Sequence, residues 1–175
     1  IVVSGSNVDA ELYGDTTFTS KNVAAYLQLD KKIGKRLNLS GGFRYEYNIL
    51  NNPGFEYPQG VVEPSTEEEA LPVVRFGASF KATEGTFFRA SIGQGYRFPT
   101  IAEKFIFTDV GGFFIVPNPS LTSETGWSAE LGLRQGFKLG NLNGFVDLAA
   151  FLMNYQNMME FNLDNSAFGF RAVNI

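Results

Sequence analysis

Arg36-Leu37-Asn38-Leu39-Ser40-Gly41-Gly42-Phe43-Arg44-Tyr45-Glu46-Tyr47-Asn48 alternates two chemistries residue by residue. The odd positions carry Leu37, Leu39, Gly41, Phe43, Tyr45 and Tyr47. The even positions carry Arg36, Asn38, Ser40, Gly42, Arg44, Glu46 and Asn48. A period of two belongs to an extended strand, whose side chains point to opposite faces in turn. An ordinary strand has about 5–6 residues, and this run is roughly twice that. It is long enough for the ~9–11 residues that a tilted membrane-crossing strand needs.

The same alternation recurs along the chain. Segment 22–33 puts Val23, Ala25, Leu27 and Leu29 on one face and Asn22, Gln28, Asp30 and Lys32 on the other. Segment 73–81 sets Val74, Phe76, Ala78 and Phe80 against Arg75, Gly77, Ser79 and Lys81. Segment 86–97 sets Phe88, Ala90, Ile92 and Tyr96 against Arg89, Ser91, Gly93, Gly95 and Arg97, with Gln94 a misfit on the apolar side. Segment 126–138 sets Trp127, Ala129, Leu131, Leu133 and Phe137 against Ser128, Glu130, Gly132, Arg134 and Lys138. Segment 142–157 starts in alternation and turns apolar on both faces at Phe151, Leu152 and Met153. A seventh strand is expected from about Phe168, and part of an eighth before Val23.

Connections alternate in length. Tight turns are expected at 33–36, 82–85 and 139–141, and long loops at 48–72, 98–123 and 158–167. Most of the 18 acidic residues fall in the long loops and the N-terminal stretch, whereas Lys31, Lys32, Lys35, Arg36, Lys81 and Lys138 mark the tight turns. Tyr45, Tyr47, Tyr96 and Tyr155 lie toward the long loops, and Phe80, Phe87 and Phe137 toward the short turns. Long alternating strands, short turns at one end, long loops at the other and aromatic girdles between them are the signature of an outer-membrane barrel. The expected fold class is therefore all-β: an antiparallel transmembrane β-barrel segment of about seven to eight strands. Residues 1–175 read as part of one barrel domain, a fragment of a larger barrel.

Composition narrows the chemistry. The chain lacks both Cys and His. Disulfides, thiolate metal sites, Ser-His-Asp and Cys-His catalysis and His-ligated zinc or haem are therefore unavailable within it. No enzyme, resident metal or cofactor is expected. A net charge of -4 argues against nucleic acid. No run of about 18 apolar residues is present to make a transmembrane helix. A hydrophobic fraction of 44% with mean hydropathy of -0.06 suits a chain that hides its apolar residues in alternation. The acidic run Glu67-Glu68-Glu69 reads as a solvated loop or one helical turn, since three adjacent acids cannot all converge on one cation.

One stretch is more specific. Arg89 to Phe105 contains Gly95-Tyr96-Arg97-Phe98-Pro99-Thr100, followed by Glu103 and Phe105. After a loop comes Pro117-Asn118-Pro119-Ser120-Leu121-Thr122-Ser123-Glu124, then a strand with Trp127 and Ala129-Glu130-Leu131-Gly132. In order and spacing this resembles the barrel of TonB-dependent outer-membrane receptors, over most of residues 20–175. In that family a Gly-aromatic-Arg-x-Pro-Thr strand end is followed by a Glu and by an Asn-Pro-x-Leu-x-x-Glu segment. Ser123 departs from it, standing where a Pro often precedes the Glu. The motif residues Gly95, Tyr96, Arg97, Pro99, Glu103, Asn118, Pro119, Leu121 and Glu124 are expected to be structural. Pro99, for one, cannot donate to a sheet ladder and should turn the chain out of its strand.

The resemblance implies import of a scarce, large nutrient (ferric siderophore, haem, cobalamin or glycan) through a barrel in the bacterial outer membrane. Energy would come from an inner-membrane TonB complex acting on a plug domain inside the barrel. Neither a plug domain nor a TonB-contacting segment is visible in this sequence. The implied partners are outer-membrane lipid, the remainder of the barrel, the plug, the TonB complex and an extracellular substrate-binding lipoprotein. Arg44, Glu46, Arg75, Arg89, Glu130 and Arg134 are expected to face the lumen. Tyr57, Phe105, Phe107, Phe113 and Phe114 are the loop aromatics whose flat faces could meet a ligand or pack on each other. Two other readings stay open. One is a small closed barrel of about eight strands, an anchor or adhesin, in which residues 1–18 pair with the last strand. The other is a soluble β-sheet binding module.

Overall fold

The computed structural model describes residues 2–13 and 16–175. In chain order the elements are β1 (Val2–Tyr13), β2 (Thr16–Ile33), β3 (Leu37–Asn52), β4 (Phe55–Tyr57), β5 (Gly60–Val62), β6 (Ser65–Lys81) and β7 (Thr86–Arg97). There follow α1 (Ile101–Phe105), β8 (Thr108–Val110), β9 (Phe113–Val116), β10 (Glu124–Leu139), β11 (Leu142–Gln156), β12 (Met159–Asp164) and β13 (Gly169–Asn174). Seven long strands form one antiparallel wall in the order β1-β2-β3-β6-β7-β10-β11. Each is hydrogen-bonded to its neighbour in sequence once the outer loops are skipped, which is an up-and-down meander. Short turns close one end. Gly34 supplies a left-handed φ of 61° in the first of them, where a side chain would be strained. The loops at the opposite end fold into a second layer: the β4–β5 hairpin, α1, and a four-stranded sheet in the order β12-β13-β9-β8.

The wall has two unlike faces. One carries Leu29 at 66% exposure, Phe76 at 58% and Leu131 at 68%, with Phe43, Phe88, Ile92 and Leu148 between them. Apolar surface so continuous does not stand in water on a stable monomer. The other face carries the charged and amide residues. Buried residues gather on that polar face at the loop end: Phe18, Leu50, Phe55, Val62, Ile101 and Phe105 form one cluster. Phe18 and Leu50 come from the wall and the other four from the loops, so the cluster fastens the loop layer to the wall.

Several expectations change. The strand expected at 73–81 begins at Ser65, so Glu67-Glu68-Glu69 is extended strand and not a loop or helical turn. Its side chains alternate faces, and Glu67 and Glu69 find Lys104 and Ser123 on the polar side. A complete strand, β1, precedes Val23 in place of part of one. The strand expected from Phe168, β13, belongs to the loop sheet and pairs with β12 and β9. β1 pairs with β2 and β11 with β10, and no pairing joins β1 to β11 among the described residues. The wall is open, unlike the small closed barrel.

The seam between β6 and β7 is split. The two strands pair only from Arg75↔Gly93 to Lys81↔Phe87. Beyond Arg75, β6 stays with β3 as far as Ser65, and β7 stays with β10 as far as Arg97. The sequence encodes the split. The Val74 N–H points into the seam, where the Gln94 side-chain oxygen accepts it at 3.1 Å. Backbone groups two residues apart point the same way, so Pro72, which has no N–H, faces the seam too. Gln94 stands on an apolar face because the ladder ends there and its last donor needs an acceptor.

Candidate functional site

The polar face under the loop layer borders an open hollow of about 1140 Å³. Its walls include Ser6, Asn22, Tyr26, Gln28, Arg44, Glu46 and Arg75, and its roof is Phe98 to Ala102. The centre of the arrangement is Glu46, buried to 7% exposure. Arg44 meets one carboxylate oxygen at 2.6 Å, Asn22 donates to the other at 2.7 Å, and the Tyr96 hydroxyl donates to the oxygen that Arg44 meets. A buried carboxylate is tolerated only when its lone pairs are satisfied in this way. Tyr96 was expected on the apolar face, in the outer aromatic girdle. Its hydroxyl instead reaches Glu46 on the polar side, where Arg44 Nε also lies 3.3 Å from it.

Deeper along the same face a second set of charges joins three strands. Arg89 reaches Glu130 at 3.0 Å and Asp147 at 3.0 Å, and Arg134 reaches Asp147 at 2.8 Å. Gly132 makes room for this: a Cβ there would lie 2.4 Å from Arg89 Nε. Arg134 also lies over the Phe145 ring at 4.9 Å. Arg75 belongs to neither set.

At the rim, Arg97 ties the loops together. Its guanidinium takes both oxygens of Glu124 at 2.9 and 3.0 Å and Glu103 at 2.7 Å, the fork geometry that favours arginine over lysine. Glu103 is also half of a capping box. It accepts the Thr100 N–H at 2.8 Å and donates its own backbone N–H to the Thr100 hydroxyl, which starts α1. Burial pushes the Glu103 carboxyl up, but hydrogen bonds from Thr100 and the Arg97 charge outweigh it, and the group is held below its ordinary 4.5. Glu124 accepts the Met159 N–H at 2.6 Å and so anchors β12.

Asn118 accepts from Ser120 and donates to the Ala172 carbonyl at 2.7 Å. The Leu121 side chain is buried, and its carbonyl accepts Lys104 Nζ at 2.9 Å. Lys104, almost fully buried, also pairs with Glu67. Pro99 leaves β7 for α1, Pro119 is exposed in the Asn118 turn, and Gly95 faces open space. Arg97, Glu103 and Glu124 thus form one linked set, and Asn118 and Leu121 form another around Lys104.

The loop aromatics divide. Phe105 is fully buried, stacked on Phe18 with centroids 5.2 Å apart, and is not available to a ligand. Tyr57 packs on that cluster and against Phe107 at 5.3 Å, and Phe107 stacks on Phe114 at 5.7 Å. Phe113 is half exposed and stacks on Phe168 at the tip of the loop sheet. Sequence reasoning missed Lys104, Ser123, Asn22 and Asn52. Asn52 binds the Glu63 carbonyl and the Gly54 N–H, which closes the β4–β5 hairpin. The Asn52-Pro53-Gly54 tripeptide carried that turn signal. The other three depend on contacts between distant segments.

The sequence profile of the TonB dependent receptor-like β-barrel family matches residues 3–175. The chain belongs to this family. Among solved structures, this receptor barrel superposes on the Serratia marcescens hemophore receptor HasR, solved with its hemophore HasA and heme. The TM-score is 0.72 at 15% identity, covering 97% of this chain and 36% of that one. For the copper transporter OprC the values are 0.67 and 16%, covering 90% and 24%. For the FrpB iron transporter from Neisseria meningitidis they are 0.58 and 18%, covering 90% and 22%. At such identities the likeness concerns the fold. This barrel segment spans about a third or less of the length of those receptors. No curated protein matches its sequence.

Proposed function

We propose that this chain forms wall and outer loops of a TonB-dependent receptor that imports a scarce, large nutrient across the bacterial outer membrane. The observation that carries the reading is the pairing of two surfaces on one sheet. The apolar face suits lipid, and the opposite face carries a hollow with charged and amide residues in its lining, roofed by loops that the cluster of Phe18 and Phe105 and the Arg97 ion pairs fasten down. In this reading the short turns face the periplasm, the loop layer faces outward, and Arg44, Glu46, Arg75, Arg89, Glu130 and Arg134 line the lumen. A plug inside the barrel, the TonB complex and an extracellular lipoprotein would act with it. Substrates of the siderophore, haem, cobalamin or glycan class fit an energised barrel with a wide mouth. A soluble module is disfavoured, because it would have to bury a face carrying residues such as Leu131 at 68% exposure.

The test is uptake by whole cells carrying or lacking the full receptor gene. Growth is measured with each nutrient class limiting, and uptake of the nutrient that responds is measured with and without a protonophore. Loss of growth on one nutrient, with energy-dependent uptake of it, is expected. Equal growth of both strains on all of them would refute import.

A further inference from the structure

Five arginines lie on the wall strands, and four are engaged by carboxylates. Arg44 has Glu46, Arg89 has Glu130 and Asp147, Arg97 has Glu103 and Glu124, and Arg134 has Asp147. Arg75 makes no ion pair and no side-chain hydrogen bond among the described residues. It stands in an emptied row. Its partners across the two neighbouring strands are Gly42 and Gly93, and beyond them come Gln28 and Ser128. The Arg75 stem lies over Gly93, where a Cβ would come within 3.1 Å of its Cγ. The guanidinium is exposed and lines the hollow. Two glycines therefore flank one exposed cation with no side chain on either side.

The rest of the lining offers Arg75 no acceptor of matching charge. Among the described residues lining the hollow Glu46 is the sole carboxylate, and Asn22, Arg44 and Tyr96 already occupy its two oxygens. Other polar residues of the lining, such as Ser4, Ser6, Ser20, Tyr26 and Gln28, carry no charge to pair with it. A guanidinium with five donors and no carboxylate partner among the described residues matches a carboxylate or phosphate, which accepts two parallel N–H bonds.

We propose that Arg75 seats an anionic oxygen group, a carboxylate or phosphate, of a ligand entering the hollow. The proposal rests on the import reading above and gives it a substrate chemistry. The alternative source of the same chemistry is a carboxylate from another part of the same receptor.

The test labels the intact receptor in detergent with phenylglyoxal, a guanidinium reagent, and reads each arginine by mass spectrometry. Three probes are added in turn: citrate, pyrophosphate and the neutral sugar maltotriose. Arg75 is expected to label at least about tenfold faster than Arg44 or Arg97, since charge-assisted hydrogen bonds of that strength hold the others. Citrate or pyrophosphate slows its labelling, and maltotriose does not. Arg75→Gln weakens binding of the protecting anion by about tenfold or more. Arg75→Lys, which keeps the charge without the fork, retains part of it. A heat-modifiability gel shows that both variants are folded. Labelling of Arg75 as slow as that of Arg97 before any anion is added would assign it to a carboxylate of the receptor and overturn the proposal. Fast labelling that neither anion slows would overturn it as well. Whole-cell uptake is measured separately on the parent receptor, so failed protection with intact uptake refutes the seat and leaves the import reading standing.

Discussion

Truncating Phe105 to alanine should release the roof of the hollow and leave the wall in place. Phe105 is fully buried, stacked on Phe18 at 5.2 Å and edge-on to Phe55 at 6.4 Å, with Ile101, Leu50 and Val62 in the same cluster. A buried aromatic ring hides about 150–250 Å². At about 25 cal/mol per Å² this gives about 4–6 kcal/mol as an upper limit. Phe→Ala changes in packed cores cost about 3–5 kcal/mol. We take the lower range, because the loop half of the cluster can close in part over the gap while Phe18 and Leu50 are held by the wall ladder. At about 1.4 kcal/mol per decade, local opening of the roof becomes roughly a hundredfold to a few thousandfold more frequent.

Amide hydrogen exchange reads this directly. The Lys104, Ile106 and Asn118 amides are bonded to Thr100, Ala102 and Lys104 carbonyls within the roof, and they should lose protection by that factor. Ser91 and Ala129, in the wall ladder, should keep theirs. Phe113→Ala, at the half-exposed loop tip, should shift the roof amides by less than tenfold. A change under tenfold for Phe105→Ala, or an equal change in the wall amides, would refute the claim that this cluster fastens a separable roof.

Three further outcomes are expected. Leu131→Arg should reduce assembled, heat-modifiable protein in the outer membrane far more than Ser91→Arg. Leu131 is 68% exposed on the apolar face, and a charge at the bilayer midplane costs about 2–4 kcal/mol; equal losses would contradict the assignment of faces. Gln94→Leu strips the Val74 N–H of its acceptor and should destabilise the folded barrel by about 1–3 kcal/mol. An unchanged urea midpoint in unfolding from detergent would show that the seam does not need it. The roof should also loosen in acid. Because the folded Glu103 carboxyl titrates below its ordinary 4.5, its contribution is full above that value and is lost as the pH falls through the lower folded value. Proteolysis of the 98–123 loop, followed from pH 6 to pH 3, should accelerate over that window in the parent protein. It should be fast and nearly flat in Glu103→Gln.

Fold class was legible in the sequence because alternation is a local property. A strand records its two faces in every pair of residues, so 36–48 alone declared which side chains share a surface. Strand ends were less legible. The β6 start was hidden by Pro72 and by three adjacent acids, both of which read as loop. Pro72 fits because its nitrogen faces a split seam, and Glu67 and Glu69 fit because a buried lysine and a serine from the 98–123 loop lie opposite. The rim residues Arg97, Glu103 and Glu124 could be picked out by spacing, but their mutual hold could not.

The opening stretch shows where that boundary falls. The sequence by itself determined that Arg44 and Glu46 share the polar face with Arg75, Arg89 and Glu130, because period two is imposed by the covalent chain. Tertiary structure alone decided what each charge meets. Tyr96, on the apolar parity, reaches Glu46 where β7 has parted from β6. Arg75 has no carboxylate partner among the described residues, and strand register sets glycine on either side of it. Register and seam depend on groups about 20 to 50 residues apart in the chain, and no local pattern records such distances.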